Sequence, residues 1–209
     1  MAPLDPYVAW HDPCAAVRMP RLYADPLAWS SRTDRGSLTR IPVLRRLGAV
    51  AATWGEFERA EPGLADAGRV LLYQFGVGLA FLATVRRDGG PRVHPMCPII
   101  HGGGMYAFIV PGPKQADLRR DGRYALHSFP CEDNEDAFYC TGRARVEEDP
   151  AARAALAGIF VTERSSSGVP PPEPAHLLFR FGIETCLLTR TTGHGDFAPQ
   201  HTTWQEAGR

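Results

Sequence analysis

A lysine just inside the start of a proline-opened helix is the chemically most telling feature of this sequence. In Gly112-Pro113-Lys114-Gln115, continued by Ala116-Asp117-Leu118-Arg119-Arg120-Asp121, proline suits the first helical position and Gly122 stands just past the end. Backbone N–H groups of a first helical turn lack intrahelical partners and carry the positive end of the dipole. A cation beside them is costly unless an anion is bound. Lys114 at this helix start therefore reads as a phosphate site. From spacing alone, a solvated lysine on a short connector is the plainer alternative.

Other reactive groups fall away on inspection. His94, Cys97 and His101 are close in sequence, but residues three apart on a strand face opposite ways and a fourth ligand is missing, so no metal is expected. His101-Gly102-Gly103-Gly104 imitates the oxyanion loop of esterases, yet no G-x-S-x-G lies downstream. Arg164-Ser165-Ser166-Ser167-Gly168 lacks the first glycine. The glycines after His101 therefore read as a hairpin turn. No side chain stands out as a catalytic acid or base. His94, His101 and His127 leave open a carrier of haem or another planar ligand.

The elements that must hold Lys114 are mostly strands. Thr53 with Glu56 three residues on forms a capping box, and Pro62-Gly63 divides the helical stretch from Thr53 to Leu72 into two short helices. Leu79 to Val85 is a near-continuous apolar run before Arg86-Arg87-Asp88-Gly89-Gly90, which predicts a strand buried on both faces and then a hairpin. Arg92 to Ile100 carries Pro95 and Pro98, so it is expected to be bulged or at a sheet edge. Met105 to Val110, Arg123 to Phe129 and Ala137 to Glu147 are further strands, the last alternating between a dry and a wet face. Asp149-Pro150 opens an alanine-rich helix to about Val161. His176 to Ile183 and Thr185 to Thr189 give the last strands, before a short tail closed by Trp204. The fold class is α+β: a split β-barrel of about six to seven mostly antiparallel strands with short flanking helices.

Composition agrees with a globular domain. The 209 residues are 44% hydrophobic, and 23 basic residues balance 23 acidic ones, so nothing favours a nucleic-acid partner. The five cysteines are scattered without a C-x-x-C pair and are expected to be reduced. No apolar run suits a membrane span, and the N-terminus has neither a basic start nor an apolar stretch, so a cytoplasmic protein is expected. Residues 1–50, interrupted by six prolines from Pro3 to Pro42, read as an appended segment, with 51–209 as the domain.

The run from Phe81 to Val146 resembles the FMN-binding split-barrel proteins, the pyridoxamine 5'-phosphate oxidase-like family with flavin and F420 members in actinobacteria. The matching pieces are Leu82-Ala83-Thr84-Val85, Asp88-Gly89-Gly90-Pro91-Arg92-Val93 with Pro95, Met105 to Val110, Lys114 with Asp117 to Asp121, and Arg123 to Ser128. The resemblance implies a homodimer with an FMN, or alternatively an F420, in a groove between barrels, and oxidoreductase activity on a small molecule. It places Lys114 and Gln115 at the phosphate and Leu82, Ala83 and Thr84 along the isoalloxazine. His94, Pro95 and Met96 would run beside the ring, with His127 and Ser128 as further cofactor contacts. Such proteins carry an arginine just before the lysine. Gly112 and Pro113 stand there instead, which leaves open weak FMN binding, substitution by Arg119 or an arginine of the other subunit, and a groove that favours F420 or no flavin. A protein that keeps the barrel to bind a ligand without redox turnover is the alternative function.

Overall fold

The computed structural model describes residues 51–165 and 169–207; the appended segment expected over 1–50 lies outside them. Helix α1 (Trp54–Ala60) starts at the expected capping box, with the Glu56 N–H donating to Thr53 Oγ1 (3.2 Å) and the Thr53 N–H donating to Glu56 Oε2 (2.8 Å). Pro62 then opens α2 (Pro62–Leu72), whose Leu64, Ala65, Ala67, Leu71 and Leu72 turn inward at helical spacing.

Strand β1 (Ala80–Val85) corrects the expectation of burial on both faces. Ala80, Leu82 and Thr84 are buried, while Phe81, Ala83 and Val85 lie half-buried on the opposite face. An apolar run reads alike whether its second side meets a core or a surface. The run expected as one strand from Arg92 to Ile100 divides into β2 (Pro91–Met96) and β3 (Ile99–His101), interrupted at Cys97-Pro98. A proline cannot donate a ladder hydrogen bond, and Pro95 accordingly stands on β2, at one edge of the sheet. Strand β4 (Gly104–Ile109), helix α3 (Pro113–Arg120) and strands β5 (Arg123–Ser128) and β6 (Ala137–Val146) come next. Gly122, at φ +76°, makes the turn from α3 into β5. Helix α4 (Pro150–Glu163) is capped by Asp149, which accepts from the Ala151 N–H at 2.9 Å.

The C-terminal part holds two corrections. The strands expected on either side of Glu184 are one continuous β7 (Leu177–Arg190); Glu184 is the extra residue of a bulge opposite Thr141/Gly142 of β6, so the expected interruption bends the strand without ending it. The expected tail contains β8 (Gln200–Gln205), which pairs with the second half of β7. The described residues carry a seven-strand path, in the antiparallel order β2-β1-β5-β6-β7-β4-β3, with β8 added on β7. The sheet curls into an α+β split barrel.

Inside the curl lie Trp54, Phe57, Phe138, Phe179 and Phe181, none of them measurably exposed. Trp54 meets Phe57 edge-on at 5.5 Å, and Trp204 of β8 packs on Phe57 at 5.0 Å. Each such ring contributes about 1.5–3 kcal/mol by leaving water. A second cluster, Ile99, Leu156 and Leu178, lies where α4 covers the sheet beside Phe108 and Phe160. Among the described residues no helix is long and apolar enough to cross a membrane.

Candidate functional site

The start of α3 is uncapped. Its N-cap, Gly112, offers no side chain, and a Cβ built there would meet nothing within 4 Å. Lys114, in the first turn, reaches across to the free edge of β2, where its Nζ donates to the Pro95 carbonyl at 3.0 Å. Burial lowers the Lys114 pKa from the usual lysine range, a cost expected of an ammonium held at a helix N-terminus.

His94 lies one residue from that carbonyl, paired across the ladder with Leu82, and so faces inward. Its Nε2 is buried and has no hydrogen-bond partner among the described residues. Burial, then the charges of Lys114 and Arg92, hold its pKa below the ordinary imidazole value, so the ring is neutral near pH 7.

Asp117, on the next turn of α3, organises this corner. Its carboxylate accepts from Arg92 Nε (2.9 Å), Arg120 Nη1 (3.0 Å) and Thr84 Oγ1 (3.2 Å). Burial alone would raise its pKa, but those hydrogen bonds outweigh it and the carboxyl sits below the usual range. The network ties α3 to β1 and β2 and so fixes where Lys114 points. Arg86, Arg87 and Arg92 line a cleft with Pro113 and Ala116, against the same end of α3. Asp88 and Asp117 border the same cleft, Arg86 pairing with Asp88 at 2.6 Å and Arg92 with Asp117 at 2.9 Å, whereas Arg119 stands exposed on the last turn of α3.

The structure gathers some of the sequence candidates and separates others. His94, Pro95 and Lys114 meet, and Thr84 joins through Asp117. Gln115 lies beside Lys114, but its Nε2 donates to the carbonyls of Ile109 (2.9 Å) and Ala175 (3.2 Å), so that amide fastens the helix to the barrel. Leu82 and Met96 are core residues. Ser128 is buried, its Oγ accepting from the Phe138 N–H at 3.0 Å. Ala83 and exposed His127 lie on the outer face of the sheet, so His127, His94 and His101 do not converge. Sequence reasoning missed the role of Asp117. The available signal was an acid followed at helical spacing by Arg120, a pairing that also suits a solvated surface.

The outer face beside this corner is apolar. Phe81 stacks on Phe129 at 4.2 Å, Phe75 meets Phe129 edge-on at 6.4 Å, and Val93 stands 61% exposed.

The α+β split barrel defines the class of the chain. No family model and no curated protein matches it. Among solved structures, a heme binding protein from Mycobacterium smegmatis is 15% identical over 66% of this chain, with a TM-score of 0.50. The chain spans 57% of that protein's length. A second solved structure is 19% identical, covering 69% of this chain and 93% of its own, with a TM-score of 0.53. A Clostridium acetobutylicum protein of the pyridoxinephosphate oxidase family, related to general stress protein 26, is 13% identical, covering 72% of this chain and 95% of its own, with a TM-score of 0.46. At these identities the first two likenesses show the fold.

Proposed function

We propose that this protein binds a flavin-type cofactor, FMN or alternatively F420, at the corner between α3 and β2, and acts as an oxidoreductase on a small molecule. The observation that carries the reading is Lys114 at an uncapped helix start, one residue's reach from a buried, unpartnered His94 Nε2. These residues fit a phosphate-bearing ring. The open N–H groups and Lys114 would hold the phosphate, Arg87 would add charge from the hairpin, and His94 with Pro95 would lie beside the ring. Lys114 gives up one carbonyl contact to an anion and keeps its remaining donors. When bound, the flavin would supply hydride chemistry, and the chain would supply position and electrostatics. Val93, Phe81, Phe129 and Phe75 form the apolar surface on which a second copy would complete the groove.

A second reading uses the same corner. A neutral imidazole whose Nε2 has no partner among the described residues suits haem iron, so His94 would hold the iron in a haem carrier. The test is absorbance after adding FMN, F420 or haemin to the purified protein. Flavin or deazaflavin retained by wild type and lost in Lys114→Ala supports the first reading. A Soret band lost in His94→Ala with no flavin retained supports the second, and no binding of any of the three refutes both.

A further inference from the structure

Where β6 crosses the first half of β7, arginines oppose each other. Arg145 and Arg180 are direct cross-strand partners, and Arg143 lies two residues along β6 on the same face. Like charges directly opposed on a sheet destabilise it unless something neutralises them. Neighbouring carboxylates do this poorly. Glu184 approaches Arg143 only to 3.5 Å and Glu147 approaches Arg180 only to 3.8 Å, whereas Asp121–Arg123 and Asp136–Arg190 each close to 2.6 Å. Arg145 has neither an ion pair nor a hydrogen bond among the described residues.

These side chains rim a concavity floored by Gly104 and Gly182 and walled by Thr53. The floor has no room to fill: a Cβ on Gly182 would come within 2.8 Å of Ala51 Cβ, and one on Gly104 within 2.4 Å of the Tyr106 ring. Glu56 also borders the concavity, but its Oε2 accepts from the Thr53 N–H and hydroxyl.

We propose that Arg145 and Arg180, with Arg143, form a binding site for the oxyanion of a small organic ligand, a phosphate monoester or a carboxylate, separate from the α3 corner. Guanidinium forks on paired strands offer parallel N–H groups to one anion, and its charge relieves their repulsion. The site lies on β6 and β7, while Lys114 lies on α3, so each can be removed without the other.

The test is isothermal titration of the full chain with inorganic phosphate and, separately, with succinate. Lys114→Ala serves as the background, so that anion binding at the α3 corner is weakened while β6 and β7 are untouched. Saturable binding of at least one probe is expected, weakened about tenfold or more on adding Arg145→Gln or Arg180→Gln. Preference for phosphate identifies a phosphate monoester as the source, and preference for succinate a carboxylate. In anion-free buffer Arg145→Gln is expected to melt no lower than its parent, because it removes repulsion and no ion pair. The proposal is overturned if neither probe binds up to about 10 mM, or if both arginine variants bind as their parent does. A lower melting temperature for Arg145→Gln in anion-free buffer would also overturn it.

Discussion

Replacing Asp117 by Asn tests the idea that one buried carboxylate positions the whole α3 corner. The side chain is 5% exposed and neutralises Arg92 and Arg120, whose side chains are 32% and 36% exposed. Breaking a fully buried pair costs about 3–5 kcal/mol. The two arginines keep partial access to water, which screens their loss, so about 2–3 kcal/mol is expected here. For a domain of this size that corresponds to a fall of roughly 5–10 °C in melting temperature. Urea unfolding of wild type and variant across pH is the assay. The carboxyl pKa is depressed in the folded state, so its contribution is complete above the unfolded value of about 3.9 and is lost as pH falls through the lower folded value. The gap between the two proteins should therefore be constant at neutral pH and close in acid. A variant as stable as wild type at pH 7, or a gap that persists undiminished in strong acid, would refute the reasoning.

The same geometry sets three further outcomes. Lys114→Ala should weaken the phosphate-bearing cofactor by about ten- to a hundredfold, by fluorescence titration, with little change in stability. Because the Lys114 pKa is lowered, wild-type affinity should fall at a pH below that at which an ordinary lysine loses its charge, and the variant should not show that limb. Gly142→Ala should cost about 3 kcal/mol or more in chemical denaturation, since its Cβ would stand 1.9 Å from the Gly182 carbonyl oxygen and only the backbone can yield. Wild type should sediment as the proposed dimer and Val93→Glu as a monomer, because the substitution places a charge in the exposed apolar face.

Local chemistry made much of the frame readable before any contact was seen. Thr53 and Glu56, Pro62, Pro113 and Gly122 act within a few residues of themselves, and the elements they bound lie where those residues require. What escaped depends on distant partners. Strand β8, Gln200–Gln205, has only Trp204 as a large apolar residue and owes its shape to hydrogen bonds from β7. Gln115 could not be recognised as a fastener, because one of its acceptors, Ala175, is sixty residues away. At the candidate site, Lys114 announced itself through its place in a helix, whereas the Asp117 network needed Arg92 and Thr84 to arrive from two other strands.

The long β7 strand has a consequence for how the chain reaches this state. It pairs with β6 along its length, with β4 through its first half and with β8 through its second. Strands β4 and β5 are consecutive in the chain yet stand apart in the sheet, with β6 and β7 between them. On a ribosome, β2, β1, β5 and β6 can assemble in order of appearance, but β3 and β4 have no place to dock until Leu177–Arg180 emerge. Ile109 must wait for Leu177. Closing so wide a loop makes folding of the millisecond-to-second kind typical of non-local sheets, and leaves the β4 edge uncovered during synthesis.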